Sequence, residues 1–187
     1  MEYPLLGTEP FVVEFANTRA VHRGEVVDFL ATPELVRGWF GSYAALHRAQ
    51  AIHIPARDAV RVRELRDHLH RVLAAQADGD HPGFEAIDAV NDSAALSQSS
   101  LRLRWSEDGD PLAVQDSASS GTTRVLARLA TEAITLVTGP DAAGLTRCLG
   151  PDCRMLYVKT HQRRTFCHPT CSQRARQSRY YDRRTGR

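Results

Sequence analysis

The four cysteines of this chain lie in its last quarter as two close pairs, Cys148-x4-Cys153 and Cys167-x3-Cys171, with thirteen residues between them. Each pair can present two thiolates from a tight turn, and an insert of that length returns the chain on itself. The pattern suits one tetrahedral ion with bonds to sulfur of about 2.3 Å. Gly150-Pro151 inside the first pair and Pro169 inside the second help the backbone turn. Met155–Val158 and Thr165–Phe166 read as strands, with Lys159–Arg164 as the connecting turn. Four thiolates fill a tetrahedral site and leave no open position, so the expected cofactor is one structural Zn2+ that stabilises and does not catalyse. A module of about forty residues has too little core to fold alone, and metal binding would supply much of its folding energy. Competing readings are an iron–sulfur cluster on the same thiols and His161 or His168 in place of one cysteine. A redox dithiol usually has Cys-x-x-Cys spacing, which neither pair shows.

Charge is distributed as unevenly as the cysteines. Residues 147–187 hold 11 Lys and Arg against 2 Asp and Glu, a net of +9, whereas residues 1–146 hold 13 against 20, a net of −7. Such asymmetry points to a basic part that meets a polyanion. After Cys171 the chain reads Ser172-Gln173-Arg174-Ala175-Arg176-Gln177-Ser178-Arg179-Tyr180-Tyr181-Asp182-Arg183-Arg184, with no Gly or Pro before Gly186. This predicts a helix with Arg176, Arg179 and Arg183 on one stripe. Arg163 and Arg164 can add to that surface, and Arg174 and Arg184 belong to the same basic run. Arginine grips phosphate or guanine edges with two parallel bonds. The expected partner is therefore nucleic acid, DNA before RNA. Tyr180 and Tyr181 would stack on bases, or one of them would pack against the zinc turn.

The first three quarters read as helices around one core. Phe11–Arg19 is short and apolar, and periodicity does not choose between helix and strand. Thr32-Pro33 is a capped helix start, and Val36, Trp39, Phe40 and Tyr43 make a buried face running to about Leu46. A second helix over 57–76 carries Val62, Leu65, Leu69, Val72 and Leu73 and stops at Asp78-Gly79-Asp80. A shorter one covers 83–95. Leu101–Trp105 and Leu112–Val114 alternate with period two around Glu107–Asp110, which predicts a hairpin. The last core helix spans 122–138 and ends at Gly139-Pro140. The expected class is mainly α with a β-hairpin: a helical domain over 1–143 and a small treble-clef- or ribbon-like zinc module over 144–187.

Asn17, Arg63 and Arg66 are polar residues among apolar faces. They form a candidate pocket for a carboxylate or phosphate of a small-molecule effector, against the plainer reading of arginines that bond helix ends. The six histidines His22, His47, His53, His68, His70 and His81 make no His-Glu-x-x-His helix, and neither a nucleophile elbow nor a glycine-rich phosphate loop is present. Catalysis is not expected. The absence of a signal peptide or long apolar run makes the cytoplasm the expected compartment, with no membrane partner.

These motifs resemble a known family. Cys148-x4-Cys153, the run Arg163-Arg164-Thr165-Phe166-Cys167 and the run Cys171-Ser172-Gln173-Arg174-Ala175 together resemble the CGNR zinc finger. Phe15-Ala16-Asn17-Thr18 resembles the Phe-Val-Asn-Thr motif of the ABATE domain that precedes such fingers, and Trp39, Arg63-x-Leu65-Arg66-x-x-Leu69 and Asn91 follow in its order. The resemblance implies a bacterial stress-induced transcription regulator whose finger contacts nucleic acid. The cysteines and Arg174 match that pattern. Ser172 and Gln173 replace its glycine and asparagine, which puts base preference in question and would strain the turn if the glycine were left-handed. The combined expectation is a zinc-dependent DNA-binding regulator. Its N-terminal domain would sense a ligand or form a homodimer, setting two basic helices on two half-sites. The rival is an RNA-binding or protein-interaction module.

Overall fold

The computed structural model describes residues 3–22, 24–96, 99–105, 109–117 and 121–185. Six α-helices and three antiparallel strand pairs occur among them: α1 Phe11–Ala16, β1 Arg19–His22, β2 Glu25–Asp28, α2 Pro33–Leu46, α3 Ala59–Asp78, α4 Phe84–Ala95, β3 Ser99–Arg104, β4 Leu112–Ser117, α5 Gly121–Thr138, β5 Leu145–Arg147, β6 Leu156–Val158 and α6 Pro169–Thr185.

Local chemistry accounts for most of these boundaries. Thr32 caps α2 by accepting from the Leu35 N–H at 3.3 Å, with Pro33 at the first helical position, where its missing N–H costs nothing. The long α3 ends at Gly79, which takes the left-handed conformation (φ 73°) and donates to the Ala75 carbonyl. The ambiguous segment at Phe11 is the helix α1. All six of its residues are buried, and Phe11 and Phe15 pack among Trp39, Phe40 and Tyr43 of α2. The predicted 101–105/112–114 hairpin is present and longer, pairing Leu103 with Ala113 and Arg104 with Leu112. Three of its turn residues, 106–108, lie outside the described residues, as does the side chain of Leu101. The β1–β2 hairpin was not expected from the sequence.

α3 runs through the middle of the molecule. Val62, Leu65, Leu69 and Leu73 face a core shared with α1, α2 and α5. The same face buries Arg66 to 1% exposure. A guanidinium there must be fully bonded to be tolerated. It forks onto both carboxylate oxygens of Asp28 at 2.9 and 2.7 Å, and also bonds Asp67 and the Thr18 hydroxyl. Burial works to raise the Asp28 pKa, but the Arg66 bonds and charge, with a bond from the Leu30 N–H, win and hold the carboxyl below its ordinary range.

The zinc module is built onto this domain. Leu145 and Leu156 belong to the N-terminal core, while Ala20 and Phe29 of the N-terminal domain pack with Met155, Tyr157 and the cysteines in a second cluster. The extra floor answers the small-core problem of a forty-residue module, since each fully buried side chain of leucine size contributes about 1.5–3 kcal/mol. Strand β6 pairs with β5, Thr146 opposite Tyr157. Thr165–Phe166, expected as its partner, is irregular: the Thr165 carbonyl accepts from the Leu149 N–H and the Phe166 carbonyl from the Arg164 guanidinium. The other edge of β6 is closed by two side chains. Asn17 donates to the Leu156 carbonyl and accepts from the Leu156 N–H, both at 2.8 Å. Glu9 accepts from the Val158 N–H at 2.7 Å and pairs with Arg164 at 2.6 Å. Side chains thus do at this edge what a third strand would do. A fork between Arg147 and Asp78, at 2.7 Å, ties β5 to the end of α3. No described helix is long and apolar enough to cross a membrane.

Candidate metal centre and nucleic-acid interface

The first cysteine pair brackets a tight turn. Cys148 N–H donates to the Met155 carbonyl, Cys153 N–H to the Gly150 carbonyl, and Asp152 adopts a left-handed conformation at φ 57°. Gly150 fits because it has no side chain: a Cβ there would stand 2.8 Å from the Cys171 Cβ and 3.4 Å from the Cys148 sulfur. The second pair straddles the start of α6, with Cys171 in the helix's first turn and its N–H bonded to the His168 carbonyl. Of the two expected architectures this is the treble-clef type, a turn on a hairpin facing a helix start.

All four sulfur atoms lie within 4.8 Å of one another, with Cys153–Cys167 at 3.7 Å and Cys167–Cys171 at 3.6 Å. A disulfide would need about 2.05 Å, and the thiols are free. Sulfurs at tetrahedral corners 2.3 Å from one ion stand about 3.8 Å apart. The spacing therefore fits a single ion and leaves no room for a multi-iron cluster. His161 and His168 are exposed and outside the cluster. The four cysteines hold one structural zinc ion.

The surroundings are arranged for thiolate. The Gly150 and Cys167 N–H groups point at the Cys148 sulfur from 3.4 and 3.3 Å, and Arg174 reaches the Cys171 sulfur at 3.3 Å. Without a metal the thiols titrate apart. Bonds from Cys153 and Cys167 lower the pKa of Cys148, whereas bonding to Cys148 raises those of Cys153 and Cys167. A dication replaces those shared protons.

The expected arginine set divides. Arg164 is largely buried: it pairs with Glu9, bonds the Val158 and Cys167 carbonyls at 3.0 and 2.9 Å, and lies 4.6 Å over the Tyr157 ring. It braces the module and is not available to phosphate. Arg174 is exposed but turned toward Cys171. Arg163 is exposed in a depression with His161, His168 and Ser172, at the start of α6 and away from the stripe further along. Arg176, Arg179 and Arg183 do share one open face, together with Tyr180. Among the described residues no carboxylate pairs with these three. Arg184 is exposed and bonds the Tyr180 hydroxyl at 3.1 Å. Tyr180 and Tyr181 are 54% and 62% exposed, so neither packs on the zinc turn. Tyr157 fills that place, its hydroxyl on the Arg164 carbonyl. Ser172 and Gln173 sit inside α6, and neither has a positive φ, so the departure from glycine brings no strain.

Asn17, Arg63 and Arg66 do not converge. Asn17 is occupied by Leu156, and Arg63 by the Leu30 and Ala31 carbonyls. Only Arg66 borders a cleft, of about 680 Å³, which it shares with Arg19, His70, Arg147 and Arg154. Glu9, which sequence reasoning missed, is the buried carboxylate that joins the domains; its partners lie 149 and 155 residues away.

Against known protein families, residues 9–140 match the ABATE model, described as "Putative stress-induced transcription regulator", and residues 145–184 match the CGNR zinc finger. The junction falls at the short turn Pro140–Gly144 that links α5 to β5. No curated protein matches the chain.

Proposed function

Because the chain belongs to the ABATE family and ends in a CGNR zinc finger, we propose that it is a zinc-dependent DNA-binding transcription regulator without catalytic activity. The observation that supports this most is the arginine face of α6. Arg176, Arg179 and Arg183 stand exposed beyond the turn that Cys171 anchors, with Tyr180 beside them. Three guanidinium groups on one helical stripe can neutralise successive phosphates of a backbone or face the edges of a major groove. The zinc ion sets the direction of that helix and takes no part in chemistry. The N-terminal domain carries the regulatory role, as ligand sensor or dimer partner.

Fluorescence anisotropy with duplex DNA across a salt series tests the reading. The Arg176→Ala/Arg179→Ala variant should bind more weakly and lower the log–log salt slope by about 2, one unit for each phosphate no longer neutralised. An unchanged slope would remove α6 as the contact surface. Preferential binding of single-stranded RNA would favour base stacking on the exposed Tyr180 and Tyr181 instead.

A further inference from the structure

We propose that the cleft between the β1–β2 hairpin, α3 and the zinc module is a binding site for a small organic oxyanion, a phosphate or carboxylate, gripped by Arg19 from one domain and Arg154 from the other. The cleft of about 680 Å³ is of ligand size. Its wall is dominated by cations. Arg66, Arg71 and Arg147 already have acidic partners in Asp28 and Asp67, Glu85 and Asp78. Arg19 and Arg154 make no ion pair among the described residues, and both are exposed. Ala20 and Val26 add an apolar strip beside them.

The electrostatics agree with the geometry. Burial lowers the pKa of His70 on this wall, and the charges of Arg147, Arg66 and Arg19 lower it further against the opposing pull of Asp67. The imidazole stays neutral in a positive field and remains able to bond a ligand. Guanidinium groups favour planar or tetrahedral oxyanions, which accept two parallel bonds. Arg19 lies on β1 of the N-terminal domain, and Arg154 lies between Cys153 and β6 of the zinc module. An anion held by both fixes the module against its partner domain. Resting on the nucleic-acid reading above, the anion is then the effector that shifts DNA affinity, and DNA in turn shifts anion affinity by the same factor.

Isothermal calorimetry on the zinc-loaded full chain tests the site with inorganic phosphate, glycerol 3-phosphate and citrate, and with glycerol as the uncharged control. The expected result is binding of at least one oxyanion and not of glycerol. Affinity should weaken roughly tenfold for each arginine removed in Arg19→Ala/Arg154→Ala and be unchanged in Arg176→Ala/Arg179→Ala. The pair Arg19→Gln/Arg154→Gln gives the same reading should the alanine pair fail to fold. Wild-type affinity in the cleft variants, loss in the helix variant instead, or no oxyanion binding at all overturns the proposal. These titrations contain no DNA, so their failure and a failure of the DNA-binding reading are separately visible.

Discussion

Asn17 is buried to 1% exposure and gives both ends of its amide to one residue of the other domain. No other side chain of that size offers a donor and an acceptor side by side in this way without charge. Asn17→Ala strands the Leu156 N–H and carbonyl together, which should destabilise the protein by about 2–4 kcal/mol, read as a lower denaturant midpoint. Asn17→Asp should be no better, because it keeps the acceptor but loses the donor and buries a charge. The residue stood out in the sequence as a polar position in an apolar run. Its partner did not, because Leu156 is 139 positions away and periodicity carries no information across such a gap. Arg66 is similar: its place on the flank of the apolar stripe of α3 was visible but its burial was not, because the Asp28 that makes it tolerable belongs to a hairpin too short and mixed to announce itself.

At the scale of elements, the zinc turn was the most legible part of the chain because its constraints are local. Four thiols, a glycine and two prolines within 24 residues leave few ways to close a tetrahedron. Gly150 tests this. In Gly150→Ala the new methyl collides with Cys171, so zinc affinity should fall by one to two orders of magnitude, comparable to the loss of a supporting group that orients a metal ligand. Competition with a chromophoric chelator measures it, and α1–α5 should keep their far-UV signal. The arginines of this region were less legible. Composition marks Arg163, Arg164, Arg174 and Arg176 as equals, and only burial separates Arg164, clamped by Glu9, from the exposed Arg176. The helices α2, α3, α4 and α5 lie within about two residues of their expected ends, since cap residues and apolar stripes act within single turns.

For the whole molecule, the two matched families meet along β6, whose edges are closed by β5 on one side and by Asn17 and Glu9 on the other. Metal removal should therefore not act on the zinc module alone. Chelation is expected to release α6 and residues 148–171 to fast hydrogen exchange. The central amides of α3 and α5 should stay protected, and the remaining domain should melt earlier through loss of support at Leu145 and Leu156. A melting curve of the N-terminal domain that does not move on chelation would show the two cores to be independent. The helix α6 itself is held differently from the rest. It is secured through Cys171 at its first turn, and from Gln173 onward nearly every described side chain faces solvent. At 1.5 Å per residue its free length is roughly 20 Å, so a pivot of about ten degrees at the sulfur anchor swings the far arginines by about 3 to 4 Å. That is about half the distance between neighbouring phosphates on a strand, so on the DNA-binding proposal a sub-ångström adjustment at the hinge brings the lever into or out of step with a row of phosphates.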